Sequence, residues 1–108
     1  HCYTTSDAFY VGRALDELAA YWFEEPVAPE DHAGYAELRR GLKTNISGGE
    51  AEFNRWGWNA LLEARALDIA QPEVCALGGV TLEQSYLLCV GSVLQQQLHH
   101  AQVTGYTC

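Results

Sequence analysis

The sequence has few basic side chains and no long apolar run. Its 108 residues include six Lys and Arg against 14 Asp and Glu, a formal net charge of −8. Because polyanions are bound by clustered Lys and Arg, this shortage argues against nucleic acid or an anionic membrane as the main partner. A transmembrane helix needs about 18 consecutive apolar residues, and no run approaches that length. We also expect no signal peptide, because the first residues lack a basic region and a long apolar segment. Since the sequence does not begin with Met, we expect its true start to lie upstream.

The four cysteines lack the spacing of a metal site or a disulfide framework. Cys2, Cys75, Cys89 and Cys108 contain no CxxC pair, so we interpret them as reduced thiols of a cytoplasmic protein. The 48% hydrophobic content is that of a globular chain. A length of 108 residues suffices for one small domain, well short of the roughly 250 residues of a closed eight-stranded α/β barrel.

Helical and strand patterns alternate along the chain. Apolar residues recur at helical spacing in four segments, and short apolar runs that end in Pro or Gly plus an acid separate them. This alternation is typical of βαβ units in a parallel sheet, and therefore of an α/β fold. The predicted helices cover about 8–18, 32–42, 53–67 and 81–94, and the predicted strands about 20–24, 44–50, 67–73 and 95–100.

Chemically versatile side chains fall at the ends of these predicted strands. Glu24, Glu50, Glu73 and His100 follow one another at intervals of 26, 23 and 27 residues, which is about the length of one βα unit. In barrels built from such units the carboxyl ends of the strands converge on the face that carries the active site. The spacing therefore predicts three carboxylates and an imidazole around a common opening.

Two interpretations of each pair remain open. Glu24 and Glu50 on adjacent parallel strands suit Mg²⁺, which takes oxygen ligands. No His or Cys set has the spacing of a zinc site. Alternatively, Glu24 and Glu50 are capping or solvated loop acids. His100 suits a general base oriented by Glu73; alternatively His99 and His100 are an exposed pair in a polar tail.

Two further groups of side chains are predicted to have structural roles and no part in a site. Three tryptophans are predicted to pack helices on strands, and three basic residues at the end of the second helix are predicted to be solvated charges. These are Trp22, Trp56 and Trp58, and Arg39, Arg40 and Lys43.

Three motifs carry a family resemblance. They are Trp22-Phe23-Glu24-Glu25-Pro26, Gly48-Gly49-Glu50, and Gln71-Pro72-Glu73-Val74 followed by Gly78-Gly79-Val80-Thr81. In order and spacing they resemble the barrel domain of the enolase superfamily, in its mandelate racemase and muconate lactonizing enzyme group. Segments 34–40 and 55–57 are similar to acid-sugar dehydratases and sugar-lactone cycloisomerases. The resemblance is clearest over 8–81, and 82–108 is a weakly matching tail. It implies a partial TIM (β/α) barrel of about four βα units.

The resemblance also implies roles for the strand-end residues. Glu24 and Glu50 match the second and third Mg²⁺ ligands of the family. His100 falls at the spacing of its catalytic histidine, and Glu73 occupies the place of the acid, usually Asp, that pairs with that histidine. The implied activity is Mg²⁺-dependent abstraction of the proton α to a carboxylate of an acid sugar or its lactone, through an enediolate. A small-molecule carboxylate substrate and a homo-oligomeric enzyme are implied as well.

Several family features lie outside the sequence. The first metal ligand, in an Asp-x-Asn motif, would by spacing fall three residues before His1. The second-strand lysines, the eighth-strand acid and the N-terminal capping domain are also missing. We therefore expect an internal piece of the barrel that alone binds Mg²⁺ weakly and has little or no activity. The alternatives are a non-catalytic half-barrel that buries its open edges by self-association and an acidic cation-binding module.

Overall fold

Three helices alternate with three short strands in the part of the chain that the structure, a computed structural model, describes: residues 3–73 and Cys75. The predicted order of helices and strands is confirmed over this range, whereas the predicted helix at 81–94 and strand at 95–100 lie outside the described residues. The elements are α1 (Thr5–Glu17), β1 (Trp22–Glu24), α2 (His32–Gly41), β2 (Asn45–Gly48), α3 (Arg55–Glu63) and β3 (Ile69–Ala70).

The strands form one parallel sheet in the order β1-β2-β3. Glu24 of β1 lies opposite Ser47 of β2, and Ser47 lies opposite Ile69 of β3. Parallel neighbours need a crossover between them, and here α2 and α3 supply it. The predicted parallel α/β arrangement is therefore confirmed.

Each helix begins at a side chain that caps its first turn. Thr4 accepts the N–H of Asp7, and Asp31 accepts the N–H of Gly34. Asn54 accepts the N–H groups of the second and third residues of α3. Because Asn54 satisfies these otherwise unpaired donors, α3 begins at Arg55, two residues later than the predicted start.

The core lies between the helices and the sheet. Ile46 of β2, Leu38 of α2 and Leu61 of α3 are buried there, together with other members of one cluster. The remaining members are Ala8, Val27, Tyr35, Trp58 and Ala66.

The predicted packing role is correct for only one of the three tryptophans. Trp58 is 2% exposed, lies on the buried side of α3 with Leu61, and belongs to the core cluster that contains Ile46 of β2. Trp56 is 70% exposed, because two residues correspond to about 200° around a helix and place it on the opposite side. Trp22 is also exposed, since it shares a sheet face with Glu24. Its ring meets the ring of Tyr21 edge to face, with the two ring centroids 5.5 Å apart.

The prediction of solvated charges on the second helix is wrong for Arg39. Its Nε lies 2.6 Å from Asp68 Oδ1, and its Nη1 donates to the carbonyl of Arg65 at 3.1 Å. Arg40 and Lys43 are exposed, as predicted. Arg39 differs because it lies on the side of α2 that meets the turn before β3. Within residues 3–73, no helix has the length and apolar character to cross a membrane.

Candidate metal and active site

The carboxyl end of the sheet carries all three predicted glutamates. Glu24 is the last residue of β1, Glu50 follows β2 by two residues, and Glu73 follows β3 by three. All three are exposed. The structure therefore brings these carboxylates to one end of three neighbouring parallel strands, as the spacing predicts. The fourth predicted residue, His100, lies outside the described residues.

Ser47 lies beside Glu24 on the same face of the sheet. The two are register partners on adjacent parallel strands, so their side chains point to the same side. Ser47 is fully buried, and within the described residues its Oγ has no hydrogen-bond partner. Buried hydroxyls are almost always paired with protein or water. A hydrated cation held by Glu24 would bring water, with which this hydroxyl could hydrogen-bond.

Glu50 lies in a tight turn between β2 and α3. The N–H of Glu52 donates to the carbonyl of Gly49 at 3.1 Å and closes that turn. Gly49 has a φ of 110°, a left-handed conformation that favours glycine. A Cβ at Gly49 would also collide with the ring of Trp58. The backbone that presents Glu50 therefore depends on a glycine against an aromatic ring.

The second glutamate of the Glu24-Glu25 pair has a different environment from the first. Glu25 is buried, and its backbone N–H donates to the carbonyl of Ser47 at 3.0 Å. The buried ring of Tyr35 lies nearby, and its hydroxyl donates to the carbonyl of Val27 at 3.4 Å. Burial, and then the charges of Glu25 and Asp31, raise the pKa of Tyr35. Of the pair, Glu24 is therefore the carboxylate that faces solvent.

Glu73 is tied to its own loop. Its Oε1 accepts the backbone N–H of Cys75 at 3.0 Å. This contact fixes one carboxylate oxygen and leaves the second oxygen of the group for another donor.

The donor set fits Mg²⁺ better than a metal enclosed by protein ligands. Among the described residues, no group of three or more His, Cys, Asp or Glu side chains could hold a metal ion. Proteins usually bind Mg²⁺ through one or two carboxylates, with water and substrate oxygens as the remaining ligands. Glu24 and Glu50 supply that number, and the buried hydroxyl of Ser47 lies beside the first of them.

Sequence reasoning missed Ser47 and a contact between His32 and Glu52. His32 Nε2, at the start of α2, lies 3.5 Å from Glu52 Oε1, in the loop between β2 and α3. No spacing rule joins a helix start to a residue of a later loop. The one feature of the sequence that bears on this contact is that Glu52 lies two residues after Glu50, a predicted metal ligand.

Comparison with known proteins assigns the family. Residues 1–102 match the family described as enolase C-terminal domain-like. The D-galactarolactone cycloisomerase of Agrobacterium fabrum (strain C58) is 40% identical over 79 residues, which are 73% of this chain and 21% of that protein.

Two solved structures show the same fold. The 3,6-anhydro-D-galactonate cycloisomerase from Zobellia galactanivorans superimposes with a TM-score of 0.82 and 38% identity, over 86% of this chain and 26% of that chain. The L-talarate dehydratase from Polaromonas sp. JS666, complexed with Mg and L-glucarate, superimposes with a TM-score of 0.76 and 26% identity, over 87% of this chain and 25% of that chain.

The chain thus spans 21–26% of the length of these relatives. Its three parallel strands and three helices cover only part of the family's barrel domain. The predicted fold class, a partial (β/α) barrel, is confirmed. The chain belongs to the enolase superfamily, in the mandelate racemase and muconate lactonizing enzyme group.

Proposed function

We propose that this chain supplies part of the metal site and of the proton-transfer site of an enzyme that removes the proton α to the carboxylate of an acid sugar or its lactone. The observation that carries the proposal is the position of Glu24, Glu50 and Glu73 at one end of three adjacent parallel strands. In barrels of this kind the active site lies at that end.

In this proposal Glu24 and Glu50 hold Mg²⁺. The ion supplies positive charge at the substrate carboxylate, which lowers the cost of removing a very weakly acidic α-proton. Two glutamates on adjacent strands neutralise that ion while leaving positions for water and substrate oxygens. Ser47 lies beside Glu24 and offers a buried hydroxyl to a water or to the carboxylate itself.

Proton transfer is assigned to His100 with Glu73. A neutral imidazole accepts the α-proton, and a carboxylate hydrogen-bonded to the other ring nitrogen orients the ring and stabilises its charged form. One oxygen of Glu73 accepts the N–H of Cys75, so the second oxygen is the one assigned to the imidazole.

The reaction that follows proton removal is proposed from the relatives. Two of them are named cycloisomerases of D-galactarolactone and of 3,6-anhydro-D-galactonate, and one is an L-talarate dehydratase bound to Mg and L-glucarate. Lactone opening or loss of a β-hydroxyl are therefore the two proposed outcomes, with a small-molecule carboxylate as substrate. We further propose a cytoplasmic homo-oligomer as the working enzyme.

Solvent isotope exchange tests the proposed reaction. The complete polypeptide that the gene encodes is incubated in D₂O with Mg²⁺ and a panel of aldarates, aldonates and their lactones, and deuterium at the α-carbon is measured by NMR. Exchange is expected with the wild type and is expected to be lost in Glu50→Gln and His100→Asn. Glu63→Gln, an exposed glutamate at the end of α3, is the matched control. Exchange that survives Glu50→Gln and His100→Asn contradicts the assignment.

The non-catalytic alternative has one supporting observation. Tyr21 and Trp22 are exposed at β1, which pairs with only β2 within the described residues. Exposed aromatics on an edge strand favour pairing with another chain. A protein that self-associates through this edge, shows no exchange with any substrate and becomes monomeric in Trp22→Ser would support this alternative.

A further inference from the structure

We infer that His32 and Glu52 act as a positioning pair that fixes the turn presenting Glu50, so that the affinity for Mg²⁺ depends on a contact between the start of α2 and that turn. The inference rests on the proposed function of Glu50. Neither residue belongs to a motif of the sequence, and both follow strands that carry proposed metal ligands.

Glu52 is anchored through its backbone and its side chain. Its N–H donates to the carbonyl of Gly49 at 3.1 Å, and its carbonyl accepts the indole N–H of Trp58 at 3.2 Å. A Cβ at Gly57 would collide with the Glu52 carboxylate, which shows how closely that group packs on the start of α3. Glu52 is therefore held at its N–H, its carbonyl and its side chain, and Glu50 lies inside the turn that it closes.

Glu52 also contacts His32, the first residue of α2. His32 Nε2 lies 3.5 Å from Glu52 Oε1, and the two side chains are 24% and 16% exposed. Within the described residues this buried Nε2 has no hydrogen bond, so Glu52 is the polar partner that the structure gives it.

The contact between His32 and Glu52 bears on Mg²⁺ binding because of where the two residues lie in the chain. His32 begins α2, eight residues after Glu24, and Glu52 follows Glu50 by two residues. Their contact ties the start of α2, the helix that follows β1 and Glu24, to the turn that carries Glu50. Partners that hold metal ligands in position typically change metal affinity by about tenfold or more when removed. His32 and Glu52 touch no proposed reacting atom and are positioning residues.

The matched control is the ion pair at the other end of the strands. Arg39 and Asp68 also join α2 to the following unit, at 2.6 Å, but next to the start of β2 and β3. Removing that pair lowers stability without touching the turn at Glu50. A loss of Mg²⁺ affinity in His32→Phe and Glu52→Ala, but not in Arg39→Gln, separates positioning from general destabilisation.

The experiment uses the complete polypeptide and two readouts. Mg²⁺ affinity is measured by calorimetry, and hydrogen–deuterium exchange of a peptide covering residues 49–54 is measured without metal. His32→Phe and Glu52→Ala are expected to weaken Mg²⁺ binding about tenfold and to speed exchange in 49–54. The double variant is expected to be no weaker than the worse single variant, because the two residues share one contact. His32→Gln, which keeps a polar nitrogen on the side chain, is expected to retain most of the affinity.

The outcomes distinguish this inference from the proposed function. If Glu24→Gln and Glu50→Gln abolish Mg²⁺ binding while His32→Phe and Glu52→Ala bind as the wild type does, the positioning pair is overturned and the metal site stands. If Glu24→Gln and Glu50→Gln leave binding unchanged, or the wild type binds no Mg²⁺, the proposed function fails and the inference fails with it. Unchanged exchange in 49–54 also overturns the inference.

Discussion

Arg39 and Asp68 join the second helix to the start of the third strand through an ion pair of 2.6 Å. The other oxygen of Asp68 accepts the N–H of Ile46 at 2.9 Å, and Ile46 is fully buried. This arrangement lies at the amino end of the strands, opposite the three glutamates. In barrels that end serves stability, whereas the carboxyl end carries the chemistry.

Asp68→Ala is expected to destabilise the protein more than Arg39→Gln does. Losing the carboxylate leaves the Ile46 N–H of the central strand without its acceptor, which costs about 1–3 kcal/mol. Losing Arg39 removes only a half-exposed ion pair, worth at most about 1 kcal/mol. Urea unfolding of both variants measures the difference. Equal losses would show that the ion pair, and not the bond to the strand, is the stabilising contact.

Gly49→Ala is expected to destabilise the turn that carries Glu50. The φ of 110° is strained for any residue with a Cβ, and the new methyl group would collide with Trp58. Backbone strain of this kind costs about 1–3 kcal/mol. Gly48→Ala is the matched control, because Gly48 does not have a positive φ and its new Cβ would make a tight contact of 3.3 Å with the Tyr35 side chain, which is less severe than the collision at Gly49. A loss in Gly49→Ala no larger than in Gly48→Ala, measured by thermal unfolding, would contradict the account of this turn.

Asp16 is expected to make stability fall in acid. Burial opposes ionisation of its carboxyl, but the hydroxyl of Thr44 and the backbone N–H groups of Lys43 and Thr44 donate to it, and together they lower the pKa of Asp16 below its ordinary 3.8. A lowered pKa gives stability that is present above pH 3.8 and is lost as pH falls through the folded value.

The test for Asp16 is the pH dependence of the melting temperature in the wild type and Asp16→Asn. Asp16→Asn is expected to melt lower at pH 7, because charged acceptors make the stronger hydrogen bonds, and to lose less stability below pH 4. Parallel curves for the two proteins would show that Asp16 does not contribute to the acid transition.

Tyr35 is expected to contribute to instability in alkali. Its raised pKa, caused first by burial and then by Glu25 and Asp31, means that the folded protein keeps a proton that the unfolded chain releases above pH 10. Stability is therefore full below pH 10 and falls as pH rises beyond it. Tyr35→Phe is expected to flatten this fall while costing at most about 1 kcal/mol at pH 7, because its hydrogen bond to Val27 is long. Identical alkaline melting curves would contradict this.

The sequence was sufficient for the parts of the fold that repeat. Apolar spacing and strand-ending glycines and prolines predicted the order of the elements, and the interval between Glu24 and Glu50 predicted that both lie at one end of the sheet. It was insufficient where the start of α2 meets the loop after β2. His32 and Glu52 are 20 residues apart, and their contact depends on the turn at Gly49, which no periodicity describes.

Residue type alone also misled the prediction for large side chains. Trp56 and Trp58 are the same residue type and lie two residues apart, yet only Trp58 is buried. The start of α3 at Arg55, capped by Asn54, sets the side of the helix on which each ring lies. Arg39 and Arg40 differ in the same way, because only Arg39 faces the turn that contains Asp68. In both cases the orientation around the helix decides the environment.

Calorimetric titration of the complete polypeptide with Mg²⁺ tests whether Glu24 and Glu50 bind the ion. The wild type, Glu24→Gln, Glu50→Gln and the control Glu63→Gln are compared under identical conditions. We expect saturable binding to the wild type and to Glu63→Gln, and its loss in each of the other two variants, because a neutral amide replaces one of the two charged oxygen ligands. Mg²⁺ binding of unchanged affinity in both Glu24→Gln and Glu50→Gln would contradict this assignment.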